Sequence, residues 1–89
     1  MSRPSIEITY RAGKMVAAYI SLGGAVPGRC SSTREMAPGM VIDFARDGRA
    51  IGLELALPKS ATLIGVNRVL RSVGAAPLRR TDFAPLRVA

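Results

Sequence analysis

The sequence predicts a small α+β fold: an antiparallel β-meander of three to five strands, one C-terminal helix packed on one face, and an extended tail containing Arg and Pro. Three observations carry this. Apolar residues alternate over residues 6–10, and a second apolar run follows over 16–22, so the two read as paired strands. Asp47-Gly48 sits between two apolar runs. That dipeptide is a strong hairpin signal, because both central residues of a type I′ turn need positive φ. Leu63, Val66, Leu70 and Val73 recur at the spacing of one helical face.

The first hairpin runs through Arg11-Ala12-Gly13-Lys14. If Tyr10 pairs with Val16, then Ile8 faces Ala18 and Ile6 faces Ile20. Ile6, Ile8, Tyr10, Val16, Ala18, Ile20 and Leu22 then share one face, and Glu7, Thr9, Ala17, Tyr19 and Ser21 take the other. A two-residue turn at Ala12-Gly13 would instead put Ser21 on the apolar face. A one-residue slip exchanges the faces, so the first register is preferred. Residues 23–39 are punctuated by Gly23-Gly24, Pro27-Gly28 and Pro38-Gly39. A loop this long is unusual in a small domain, so a short third strand or edge segment is expected between the turns.

In the Asp47-Gly48 hairpin, a two-residue turn places Phe44 opposite Ile51, Ile42 opposite Leu53 and Met40 opposite Leu55. A three-residue loop with a glycine bulge would place Phe44 opposite Ala50, on the face of Gly52 and Glu54, and burial argues against it. Asp43 and Glu54 fall on the wetter face. After Pro58, Ser60 is placed to cap a helix over residues 61–73, with Val69 widening its apolar stripe and Gly74 set for a C-terminal cap. The domain is expected to span residues 1–74. Residues 75–89, with Pro77 and Pro85, read as an extended or flexible tail, either disordered or laid in a groove of its own or a neighbouring subunit.

The chain has 89 residues, one cysteine, no histidine and a net charge of +7. That length makes one small domain. Residues 1–57 hold seven basic and five acidic side chains, and residues 58–89 hold six and one, so the positive excess lies in the C-terminal third. A lone Cys30 forms no internal disulfide and fits a reducing cytoplasm. The longest apolar stretch, residues 15–26, is shorter than a membrane span. The alternating strand before it, which carries Glu7, argues against a signal peptide.

The same composition narrows the chemistry. Zinc, haem and Ser–His or Cys–His catalysis lack their residues within one chain. Arg29 and Arg34 lie near Cys30 in sequence, but a free Cys is more often a small structural residue than a reactive thiol. The glycine-rich stretch 23–28 lacks the Gly-Lys-Ser/Thr of a phosphate loop. Asp43 and Glu54 share a hairpin face. With no supporting base they read as strand carboxylates rather than an acid–base pair, though Gly52 beside them leaves room for a ligand. No catalytic residue, metal site or cofactor is assigned.

Ile8-Thr9-Tyr10, Ala17-Ala18-Tyr19-Ile20-Ser21-Leu22 and the run from Met40 through Asp43, Gly48, Gly52 and Glu54 to Leu55 resemble the small prokaryotic family called domain of unknown function 2283. The resemblance covers residues 6 to about 57 and leaves out the helix and tail. It implies a small, mostly β protein with no established activity. Some members are thought to be encoded beside small toxin-like proteins, which implies an antitoxin-like or partner-binding role.

The expected function is a non-enzymatic interaction module, homodimeric and cytoplasmic, with partner contacts at Tyr19, Asp43, Gly52 and Glu54 and no membrane association. The alternative is nucleic-acid binding through Lys59, Arg68, Arg71, Arg79, Arg80 and Arg87.

Overall fold

The computed structural model describes residues 4–22 and 30–87. The turns expected at Gly23-Gly24 and Pro27-Gly28 lie outside the described residues, as do Arg29 and Val88. Five strands form one antiparallel sheet: β1 (Ser5–Arg11), β2 (Lys14–Ser21), β3 (Ser32–Ala37), β4 (Met40–Phe44) and β5 (Ala50–Leu55). Their order is β1-β2-β5-β4-β3. The strand expected between the turns of residues 23–39 is β3, an edge strand. The sheet is not a continuous meander, however. Strands β3, β4 and β5 are one, and the β1–β2 hairpin joins it through the β2–β5 pair.

The three hairpins share one device, a tight turn with a β-bulge beside it, after the turn in the first two and before it in the third. Ala12 and Gly13 have φ of 52° and 76°, as a two-residue type I′ turn requires. Arg11 therefore pairs with Lys14 and Tyr10 with Met15, and a register shift between Thr9 and Tyr10 restores Ile8 opposite Ala18 and Ile6 opposite Ile20. Both registers weighed from the sequence are partly present, with Val16 as the extra residue. The expected faces change accordingly: Met15 is buried, while Tyr10 and Val16 are exposed.

The Asp47-Gly48 turn is likewise corrected. The Ala45 N–H donates to the Arg49 carbonyl at 2.8 Å, and the Gly48 N–H donates to the Ala45 carbonyl at 2.9 Å. These bonds close a three-residue loop with Gly48 at a φ of 89°. Phe44 faces Ala50, and the shift leaves Ile51 as the bulged residue. Ile42 still faces Leu53, and Met40 still faces Leu55. The bulge absorbs the extra turn residue before the phase error reaches the core. Ile51 is buried but stands outside the main core cluster. In the third hairpin Pro38 and Gly39 make the turn, and a shift between Glu35 and Ala37 leaves Met36 unpaired.

Beyond the sheet come a 3-10 turn (Pro58–Ser60), helix α1 (Leu63–Ser72), the short helix α2 (Arg80–Phe83) and a 3-10 segment (Ala84–Arg87). Helix α1 starts later than expected, because Ser60 ends the 3-10 turn. Thr62 caps it instead, its Oγ1 accepting from the Gly65 N–H at 3.0 Å. The C-terminus follows the expectation. Gly74, at a φ of 75°, closes a Schellman motif in which the Ala75 N–H donates to Leu70 and the Gly74 N–H to Arg71.

Over residues 80–87 the tail is helical rather than extended. Leu78, Phe83 and Leu86 are buried and join Ile20, Ile42, Leu53, Leu55, Val66 and Leu70 in one cluster. Asn67 ties the tail to α1. Its Oδ1 accepts from the Leu78 N–H at 2.7 Å, and its Nδ2 donates to the Leu78 carbonyl at 3.1 Å. The core thus lies between one face of the sheet and the helical segments. No described helix is long and apolar enough to cross a membrane.

Candidate functional site

The sheet face turned away from the core cluster is built by the alternate residues of each strand. Register places Glu7, Tyr19, Glu54, Val41 and Glu35 in one cross-strand rank running over all five strands. The next rank is Ser5, Ser21, Gly52, Asp43 and Thr33. Neighbouring strands lie about 4.8 Å apart. The three glutamates of the first rank, on β1, β5 and β3, are therefore spaced about 10 Å apart.

The structure brings together Tyr19, Gly52 and Asp43, three of the residues singled out from the sequence. The Tyr19 hydroxyl donates to Asp43 Oδ2 at 2.8 Å. To reach β4 from β2, the phenol crosses β5 at Gly52, where any Cβ would collide with the ring. Gly52 is buried. It was expected to leave room for a ligand, but Tyr19 fills that room. Glu54 pairs with both Tyr19 and Val41 in register and its side chain is exposed.

Burial, first, and then the hydrogen bond to Asp43 raise the Tyr19 pKa well above the ordinary tyrosine value, with the charges of Asp43, Cys30 and Glu54 adding to the shift. Tyr19 therefore remains a neutral donor at physiological pH rather than a base or nucleophile. The face offers carboxylate acceptors: the second oxygen of Asp43 and the exposed glutamates. Arg49 does not neutralise Asp43 or Glu54. It pairs with Asp47 at 3.5 Å, within its own turn. Among the described residues, no group of three or more His, Cys, Asp or Glu side chains is arranged to hold a metal ion. Cys30 is exposed, its thiol donating to the Ser32 carbonyl at 3.3 Å.

The basic residues named from the sequence lie on the helical segments. Lys59, Arg68, Arg71, Arg79, Arg80 and Arg87 are all exposed. Arg79 reaches Asp82 at 3.4 Å. Lys59, Arg80 and Arg87 border one cavity, whereas Arg68, Arg71 and Arg79 do not. Sequence reasoning missed Glu7 and Glu35 as partners of Glu54. Their alignment depends on the strand order, which no local pattern encodes. It also missed Asn67, whose signal was a polar residue beside the apolar stripe of α1.

No curated protein and no solved structure matches the chain. The family comparison does find a match, and its span runs from within β2 to just past β5, leaving β1 outside. Over residues 17–56, which supply Tyr19, Asp43, Gly52 and Glu54, the chain matches the family described as protein of unknown function (DUF2283).

Proposed function

We propose that the protein is a small non-enzymatic interaction module that works as a homodimer and receives a basic protein partner on its open sheet face. The observation carrying this reading is the rank Glu7, Tyr19, Glu54, Val41, Glu35 beside the Tyr19–Asp43 pair. Such a face combines half-buried apolar and aromatic surface with carboxylates of one sign, which suits a positively charged partner. The net charge of +7 argues against such a partner only if the charge is spread evenly, and it is not. A small basic toxin-like protein is the class of partner that fits. Two acid-bearing faces would repel each other, so self-association is assigned to an open edge, β1 or β3, by strand addition.

The test titrates a short oligolysine peptide into labelled protein and follows backbone amide shifts. Shifts centred on Tyr19, Val41 and Glu54, abolished by Glu54→Lys, are expected. No shifts, or shifts confined to the helical side, would overturn the reading. Light scattering at micromolar concentration should give the mass of a dimer; a strict monomer removes the homodimer.

The second reading is nucleic-acid binding. It is favoured by the exposure of Lys59, Arg68, Arg71, Arg80 and Arg87, none of which forms an ion pair with a described residue. It requires retention of an anionic oligonucleotide at low salt, with affinity falling steeply as salt rises.

A further inference from the structure

The helical side of the molecule holds an open cavity of about 740 Å³, within the range of small-molecule sites. The 3-10 turn, the first turn of α1, α2 and the final 3-10 segment build its walls. Its floor is apolar, formed by the core residues Met15, Phe83 and Leu86. Ile64 stands at the rim, 75 % exposed. It is the most exposed of the large hydrophobic side chains among the described residues, and it adjoins the apolar floor.

Among the described residues, the charged side chains lining the cavity carry one sign. Lys59, Arg80 and Arg87 line it, no acidic side chain of the described residues does, and none of the three forms an ion pair with a described residue. They come from three separate elements, so their convergence is a product of the fold and not of a local run of basic sequence. The positive end of α1 opens on the same space and adds to the field.

We propose that this cavity binds a small organic anion with an apolar body, of which a medium-chain carboxylate is the simplest case. The carboxylate pairs with the guanidinium groups of Arg80 and Arg87 and with the Lys59 ammonium. The chain lies on Met15, Phe83 and Leu86 under Ile64. An inorganic anion gains the charges without the floor, and a neutral alcohol gains the floor without the charges. The proposal is independent of the open sheet face, which lies on the other side of the sheet.

Titration calorimetry of the full chain with decanoate, decanol and inorganic phosphate tests it. Saturable decanoate binding is expected, with decanol and phosphate weaker by about tenfold or more. The double variant Arg80→Gln, Arg87→Gln should weaken decanoate by about the same factor, because charge-assisted bonds dominate the head-group contact. Both arginines are exposed, and circular dichroism verifies that the variant is folded. No saturable decanoate binding, equal binding of decanol, or an unaffected double variant would overturn the proposal. So would binding of anionic vesicles or an oligonucleotide through these arginines by a protein that ignores decanoate. Finally, if Ile64→Asp splits a dimer while decanoate stays unbound, the cavity belongs to a second copy of the chain and the proposal fails.

Discussion

A methyl group at position 52 has nowhere to go, because the phenol ring of Tyr19 occupies the space in front of Gly52. Gly52→Ala is expected to destabilise the fold by about 1–3 kcal/mol in denaturant unfolding, as overpacking does. The cost should shrink in a Tyr19→Ala background. A double-mutant cycle reads that coupling, and strict additivity would show that the ring is not the obstacle. The raised Tyr19 pKa gives a second prediction. The folded protein holds this proton more tightly than the unfolded chain, whose tyrosines ionise near pH 10. The stabilisation is therefore fully present below about pH 10 and declines as pH rises further. Denaturant midpoints measured from neutral to alkaline pH should fall less steeply for Tyr19→Phe than for the parent, and equal slopes would refute the assignment. At this scale the sequence was informative about position and silent about contact. Alternation put Tyr19, Asp43, Gly52 and Glu54 on the outer face. The Tyr19–Asp43 bond spans β2 and β4, which meet only through β5.

Elements succeed or fail on how the chain manages phase. Strand identity was legible because apolar alternation survives a bulge. Turn type was not, because a bulge can cancel the slip that a shorter or longer turn introduces. Ala12-Gly13 and the three-residue loop at Gly48 are both corrected in this way within a few residues, at Val16 and Ile51. The helical stripe and the Gly74 cap were legible from spacing and residue type. The tail was not. Its two prolines suggested extended backbone, and a helix of four residues, α2, is too short to show a period. What orders the tail is Asn67, 9 % exposed, bonded in both directions to the backbone of Leu78. Asn67→Ala would strand a buried N–H and a buried carbonyl, and the expected cost is about 2–4 kcal/mol. Hydrogen exchange at the Leu78 amide should accelerate in the same variant before the sheet amides do. Unchanged protection there would mean that Leu78, Phe83 and Leu86 hold the tail by packing alone.

At the scale of the whole molecule, net charge is a poor guide to surface. The excess of seven basic charges lies mainly in the C-terminal third of the sequence. The folded chain separates much of the charge, although Arg11, Lys14, Arg34, Arg46 and Arg49 stay on the strands and turns of the sheet and Asp82 lies on α2. Glu7, Glu35, Asp43 and Glu54 lie on the open sheet face, and Lys59, Arg68, Arg71, Arg79, Arg80 and Arg87 lie on the helical segments behind it. Sequence halves hinted at this imbalance, but the hint became a direction in space only once β1 and β3 were placed at opposite edges of the sheet. The cross-strand rank of glutamates depends on that nonlocal order.

The separation has a mechanical consequence. The molecule is an electric dipole as well as a cation, and a dipole in a field feels a torque before it feels a contact. Approaching an anionic object, it turns its helical side forward and carries its sheet face outward, still free. Orientation would then be set during the approach itself, over roughly the Debye length of about 10 Å at ordinary ionic strength. One partner on the helical side would in this way leave the acidic face presented to another.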